Sequence, residues 1–252
     1  MNFIETKFTE KADKYDKYRP CYSKETIKFL YEIGIIKKDD KIADIGCGTG
    51  ILSSALADRN NSVIGVDINI DMLRMAKQRL VRYKNCMLIN APAENTSLDD
   101  NSVDCVTVAQ AFHWFNKNQF KIECQRILKP EGNVILLWNS TDNKSPINIE
   151  ISNINERLCE RFGGYSSRCE EKADAYDTFF RDNKCNFKLF RNDLLLDENN
   201  FIGRNLSRSY APNENNPNYE GYVYELKKLF IKYKNNERVI VPNDTRCYFG
   251  KV

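Results

Sequence analysis

A single histidine, His113, and nine scattered cysteines without one Cys-x-x-Cys pair leave this 252-residue chain poorly supplied with metal ligands, so no metal site is expected. Nine is an odd number and the spacing is irregular, which predicts reduced thiols in a cytoplasmic protein rather than a disulfide framework. No apolar run approaches the ~18 residues of a membrane-spanning helix. The first twenty residues lack the apolar stretch and small-residue cleavage site of an export signal. A soluble protein without membrane contact is the expectation. An excess of charge of one sign is lacking too: 38 Lys plus Arg face 35 Asp plus Glu, mixed along the chain, and the net charge is +3. That argues against nucleic acid as a partner, because phosphate-binding surfaces carry a one-sided basic excess. No internal repeat is visible, and 42% hydrophobic residues suffice for a real core.

What is present is a rhythm. Two helices are predicted first, Phe8 to Tyr18 and Ser23 to Ile33, the second starting at Ser23 as N-cap and stopping at Gly34. From Lys41 short apolar runs alternate with helical periods: KIADI, Ile51 to Asp58, SVIGVD, Asn69 to Leu80, CMLI, VDCVTVA, a helix bearing Phe120, Cys124, Ile127 and Leu128, then NVILLW. Alternation of this kind makes a parallel sheet covered on both faces, with five strands in place by Trp138. The rhythm stops at Ser140. A helix with Ile147, Ile151, Ile154, Leu158 and Phe162 in register, a mixed stretch through Phe201, polar sequence around Leu206 to Tyr210 and a helix from Tyr219 to Tyr233 follow. RVIV and TRCYFGKV then read as an antiparallel pair completing the sheet. The predicted units are a helical cap (1–40), an α/β core (41–139), an inserted lid over the crevice (140–236) and the two last strands (237–252).

Asp44-Ile45-Gly46-Cys47-Gly48-Thr49-Gly50 follows a strand and opens a helix, so its glycines let a ligand approach the backbone at the carboxyl edge of the sheet. Asp67 ends the second strand, where a carboxylate can accept hydrogen bonds from both ribose hydroxyls; the plain alternative is a helix N-cap. Loop, strand and spacing together point to a nucleoside. The glycines run G-x-G-x-G, and the third glycine of the dinucleotide fingerprint is replaced by Ile51. Asp44 would gain nothing beside a pyrophosphate, while a ligand carrying an ammonium or a sulfonium would suit it.

Asp44 to Gly50 and Asp67 resemble motif I and the acidic ribose-binding position of the class I S-adenosylmethionine-dependent methyltransferases. The resemblance runs over nearly the whole chain: Tyr18-Arg19-Pro20 before the sheet, Pro92-Ala93-Glu94 after the third strand, Ala109 to Phe115 after the fourth, and Arg126 to Gly132 before the fifth. Within that superfamily the chain is similar to the small-molecule branch around trans-aconitate methyltransferase and the quinone-biosynthesis methyltransferases. The resemblance implies a Rossmann-like α/β fold, a seven-stranded, mostly parallel sheet of order 3-2-1-4-5-7-6 with the last pair antiparallel, and S-adenosylmethionine as cofactor. It implies that Asp44 and the backbone of Gly46 hold the amino acid end of the cofactor, with Gly48 and Gly50 among the cofactor contacts, and that Tyr18 and Arg19 close over its methionine carboxylate. Asp67 and Ile68 would take the ribose and one adenine face, Ala93 and Glu94 the adenine edge. Pro92 stands where many relatives have Asp, so the adenine amino contact falls to Glu94 or is lost.

Reacting groups gather at the carboxyl ends of the strands, which places Gln110, His113 and Trp114 near the methyl group. Gln110 is counted with the cofactor contacts, Trp114 with the acceptor; His113 is a candidate base, an acceptor contact or a structural side chain packed on Trp114. Enzymes that methylate amino groups of bases or of glutamine show an N-P-P-Y-like tetrapeptide after this strand, and cytosine C5 enzymes a Pro-Cys pair. Here Ala109-Gln110-Ala111-Phe112 stands, and Cys105 follows Asp104. The expectation is methyl transfer to a small molecule, at oxygen, in a carboxylate or hydroxyl, rather than nitrogen. The rivals are a non-catalytic S-adenosylmethionine binder and an NAD(P)-dependent oxidoreductase. The cysteine pair Cys159 and Cys169 raises thiol-dependent arsenic methylation only remotely.

Overall fold

The computed structural model describes residues 18–164, 174 and 176–252. The predicted helix from Phe8 lies outside them except for Tyr18, as does Cys169. Helix α1 (Lys24–Glu32) buries Thr26, Ile27 and Leu30 on one face and ends at Gly34, whose φ of +73° reverses the chain. Then come β1 (Lys41–Ile45), α2 (Ile51–Ala57), β2 (Ser62–Asp67), α3 (Ile70–Leu80), β3 (Cys86–Asn90), β4 (Val103–Ala109), α4 (Lys117–Ile127) and β5 (Leu128–Thr141). These five strands pair in parallel in the order β3-β2-β1-β4-β5. Because side chains alternate across a strand, Val134, Leu136 and Trp138 of β5 face a core shared with Phe112 and α4, while Ile135 and Leu137 face a second core shared with α1 and α2. The sheet is therefore buried on both faces.

The second half contains α5 (Pro146–Leu158), β6 (Asn186–Arg191), β7 (Leu194–Leu196), α6 (Glu198–Leu206), α7 (Tyr219–Tyr233), β8 (Val239–Val241) and β9 (Asn243–Gly250). The seven-stranded sheet is β3-β2-β1-β4-β5-β9-β6, with β9 antiparallel to both β5 and β6. In chain order within that sheet this is 3-2-1-4-5-7-6. The expected partnership of RVIV with TRCYFGKV is corrected, since β8 leaves the main sheet and pairs with β7 in a two-stranded sheet. The sixth strand is instead β6, from within the segment read as lid. It is mostly exposed, with polar or charged residues at three of its six positions, as suits the sheet edge. The unit read as one insertion is thus in two pieces, α5 and the excursion from β7 to β8, which share a separate core of Ile147, Ile151, Ile154, Phe201, Tyr222 and Phe230 with Val239 and Val241. Helix α6, unpredicted, starts at Asp197, whose side chain accepts from the Asn200 N–H at 2.8 Å. Among the described residues no helix is long and apolar enough to cross a membrane.

Candidate functional site

The loop between β1 and α2 turns over the carboxyl edge of the sheet with three glycines in the left-handed region: Gly46 (φ +67°), Gly48 (+55°) and Gly50 (+77°), the last being the N-cap of α2. Gly46 is doubly constrained. A Cβ there would stand 2.5 Å from that of Ala111 and 3.1 Å from the Phe115 ring, so only glycine lets the loop lie against the segment after β4.

Asp44 lies beneath this loop, wholly buried, and register explains its partners: it is level with Thr107 on β4. Its carboxylate accepts from the Ser53 hydroxyl of α2 at 2.5 Å and from the Thr107 hydroxyl at 3.0 Å. Burial pushes its pKa up to about 6 against those two hydrogen bonds, and Asp67 nearby adds to the rise. Asp67 itself is not a helix cap. Asn69 caps α3, accepting from the N–H groups of Asp71 and Met72. One Asp67 oxygen accepts from the Gly48 N–H and the other from the Asn69 N–H, both at 2.8 Å. Burial raises this carboxyl too, and the two backbone donors offset part of the rise. Each oxygen keeps a further lone pair for a ligand.

Between these walls opens a cleft of about 820 Å³ including its mouth. It is lined by Gly46, Gly48, Asp67 and Ile68 on one side, by Ala93 and Glu94 after β3, and by Gln110 and Trp114 after β4. Glu94 is tied down: one oxygen accepts from the Asn116 N–H at 2.7 Å, joining the loop after β3 to the start of α4. Gln110 is held at φ +60°, an unfavourable conformation for a side-chain-bearing residue, by its N–H to the Leu137 carbonyl at 2.9 Å and its Nε2 to the Asn139 carbonyl at 3.0 Å. Strain held in place by the sheet marks functional positions. Val66, Asn69, Met72 and Ala91 also line the cleft and were not given a site role from sequence, and Pro92, Ala109, Ala111 and Phe115, noted there only within the resembling segments, line it too. Adjacency to Asp67, Ala93 and Gln110 was the available signal for most of them, and Met72, one helical turn into α3, had none.

Other candidates lie outside this wall. Asp44 and Gly50 support the loop from below and behind. His113, on the short 3₁₀ turn Phe112–Trp114, packs its ring 4.8 Å from that of Trp114 and is not among the lining residues. Tyr18 and Arg19 border adjoining cavities instead. Among the described residues no three His, Cys, Asp or Glu side chains converge as a metal site.

Residues 43–136 match the methyltransferase domain family. The chain is 34% identical over 137 residues to an uncharacterized methyltransferase of Mycobacterium bovis, covering 54% of each chain. It is 31% identical over 147 residues to the demethylmenaquinone methyltransferase of Staphylococcus epidermidis, covering 54% of this chain and 60% of that one. The chain thus spans about half the length of the curated relatives it matches. The α/β core of this chain is thus similar to the methyltransferase domain of the class I S-adenosylmethionine-dependent methyltransferases. A solved structure from Anaeromyxobacter dehalogenans, assigned to the type II methyltransferases, superposes with a TM-score of 0.64 at 20% identity, covering 92% of this chain and 95% of that one, and so shares the fold.

In a methyltransferase of this class the cofactor is S-adenosylmethionine, and the cleft fits it on its own chemistry. Asp67 stands in the cleft wall and Asp44 is buried beneath the loop, and together their carboxyl groups suit a ligand bearing positive charge. The apolar walls of Ile68, Met72, Ala91 and Ala93 suit a flat aromatic base.

Proposed function

We propose that the protein transfers the methyl group of S-adenosylmethionine to an oxygen of a small-molecule acceptor. The juxtaposition of Asp67 with the Gly46–Gly48 loop in one cleft carries this reading. Asp67 would accept from the ribose hydroxyls while its bonds to Gly48 and Asn69 hold it in place. Ile68 and Ala93 would sandwich the base, with Glu94 at its edge. The Gly46 and Gly48 backbone would receive the amino acid portion, and Asp44 would act through the loop it supports and through its charge. Bound in this way, the cofactor supplies a methyl group already activated on a sulfonium. The chain need then only orient an acceptor lone pair at ~3 to 3.5 Å and exclude water.

Gln110 and Trp114 form the wall against which an acceptor would be presented. A carboxylate oxygen needs no base. A hydroxyl would give up its proton, and His113, the one imidazole of the chain, is the residue to take it. Ala109 to Phe112 in place of an N-P-P-Y-like tetrapeptide supports oxygen over nitrogen. Similarity to a demethylmenaquinone methyltransferase is consistent with a small-molecule acceptor. Incubation with S-adenosylmethionine and panels of carboxylic acids, phenols and amines, followed by S-adenosylhomocysteine release, tests the reading. Alkali-labile methyl esters or stable methyl ethers are the expected products; N-methylated amines alone would overturn the oxygen assignment.

A further inference from the structure

Near the end of β5, Asn139 uses its whole side-chain amide. The nitrogen donates to the carbonyls of Pro20 and Cys21, both at 3.2 Å. The oxygen accepts from the Thr245 hydroxyl at 2.7 Å and from the Asn192 amide at 3.0 Å. Two carbonyls can only accept, so they dictate which way the amide faces. Register brings in the neighbours: Asn139 is level with Thr245 of β9, whose buried hydroxyl oxygen also accepts from the Ser23 N–H at 3.1 Å, at the start of α1. Asn192, just past β6, donates to the Cys21 carbonyl as well, at 3.0 Å. Residues 20–23 are thereby fastened across the ends of three adjacent strands, β5, β9 and β6, by uncharged groups alone. The carbonyl of Asn139 has a separate task. It accepts from Gln110 Nε2 at 3.0 Å, one of the two bonds that hold Gln110 at φ +60° in the cleft wall. Segment and wall also meet directly: Pro20 and Tyr22 border a cavity of about 450 Å³ together with Gln110 and with Ile51, the first residue of α2, and Arg204 and Arg208 border it too. A Cβ on Gly203 of α6 would overlap the Tyr18 ring, so α6 packs on the start of the same segment. Asn139 itself is not among the residues lining the main cleft.

Resting on the methyl-transfer reading above, we propose that Asn139 is a positioning residue for cofactor binding: its side chain clamps residues 20–23 against Gln110 and the start of α2, and its main chain fixes Gln110 in the cleft wall. Docking of the segment and binding in the cleft are then coupled. Linkage makes the coupling reciprocal, so whatever loosens the segment weakens the ligand, and the ligand tightens the segment by the same factor.

Both directions can be measured with S-adenosylhomocysteine as probe. In the parent protein, hydrogen exchange at the Ser23 amide should slow when S-adenosylhomocysteine binds, a readout that needs no variant. Asn139→Asp keeps the size and the acceptor oxygen but turns an oxygen toward two carbonyls. It should speed Ser23 exchange and weaken S-adenosylhomocysteine in calorimetry about fivefold, the scale of one or two lost hydrogen bonds. Tyr222→Phe is the control: it deletes a buried hydrogen bond, the Tyr222 hydroxyl to Asn155 at 2.7 Å, in the separate core of the smaller unit. It should lower the melting temperature and leave S-adenosylhomocysteine affinity within about twofold of the parent. Unchanged Ser23 exchange on binding to the parent would overturn the proposal, as would an Asn139→Asp protein that exchanges faster yet binds as the parent does, or equal losses of affinity in the two variants. A parent that binds no S-adenosylhomocysteine at all would defeat the methyl-transfer reading and this proposal with it, which separates the two failures.

Discussion

Asp44 and Asp67 are both acids at the loop, yet their surroundings divide their work. The Asp44 carboxyl is raised to about 6 by complete burial, so between pH ~4 and 6 the folded chain holds a proton that the unfolded chain has lost. Its contribution to stability is therefore present below pH ~4 and lost as pH rises through about 6, an effect of roughly 2 to 3 kcal/mol. Asp44→Asn, whose amide can donate to the Ser53 hydroxyl in return, should raise the melting temperature of the ligand-free protein at pH 7.5 by several degrees, with the gap closing at pH 4. Scanning calorimetry across that range checks it, and equal melting temperatures at pH 7.5 would contradict it. The cationic cofactor favours the ionised carboxyl, so its affinity should fall as pH drops from 7 to 5. For Asp67→Ala we expect cofactor affinity to fall about tenfold or more, from loss of charged hydrogen bonds of ~1.5 to 3 kcal/mol; unchanged affinity in calorimetry would remove the ribose assignment. His113→Ala should lower kcat more than it raises KM with a hydroxyl acceptor, and leave a carboxylate acceptor's kcat nearly unchanged. Equal losses in both parameters would make His113 a contact rather than a base.

At the scale of elements, the turn between β1 and α2 is where sequence and packing meet most tightly. Gly46→Ala imposes both a strained φ and an overlap with Ala111, and should lower the melting temperature and abolish cofactor binding together. A melting curve and a binding titration that both match the parent would contradict this account of the loop. The elements around it were legible because each carries its own signal: the apolar runs of β1, β2, β4 and β5 are buried on both faces, and α3 buries Met72, Leu73, Ala76 and Leu80 at helical spacing. The later elements were not. NFKLFR alternates with charge because β6 lies at the edge, LLL of β7 is too short for periodicity, and α6 carries three Asn and a Gly in nine residues. Partner choice was hidden as well, since whether β8 or β6 flanks β9 depends on contacts distant in sequence. The site follows the same division. The glycine loop and Asp67 could be placed from spacing, and Ala93 and Glu94 from the family resemblance, whereas the meeting of Arg19 with Arg204 and Arg208 depends on how α6 docks.

For the whole molecule, the sheet and the smaller α5–α6–α7 unit have separate cores, and the cleft and its adjoining cavity lie along the sheet's carboxyl edge, where α6 of the smaller unit supplies one wall. The central claim, that the cleft takes S-adenosylmethionine, is tested most directly by thermal unfolding of the protein alone and with S-adenosylmethionine, S-adenosylhomocysteine or NAD(P). At ~100 times its dissociation constant a ligand of the native state adds ~2.7 kcal/mol, a shift of roughly 5 to 10 °C for a chain of this size. The account predicts that shift with the two sulfur nucleosides and none with NAD(P); a shift with NAD(P) alone, or with none of them, would contradict it.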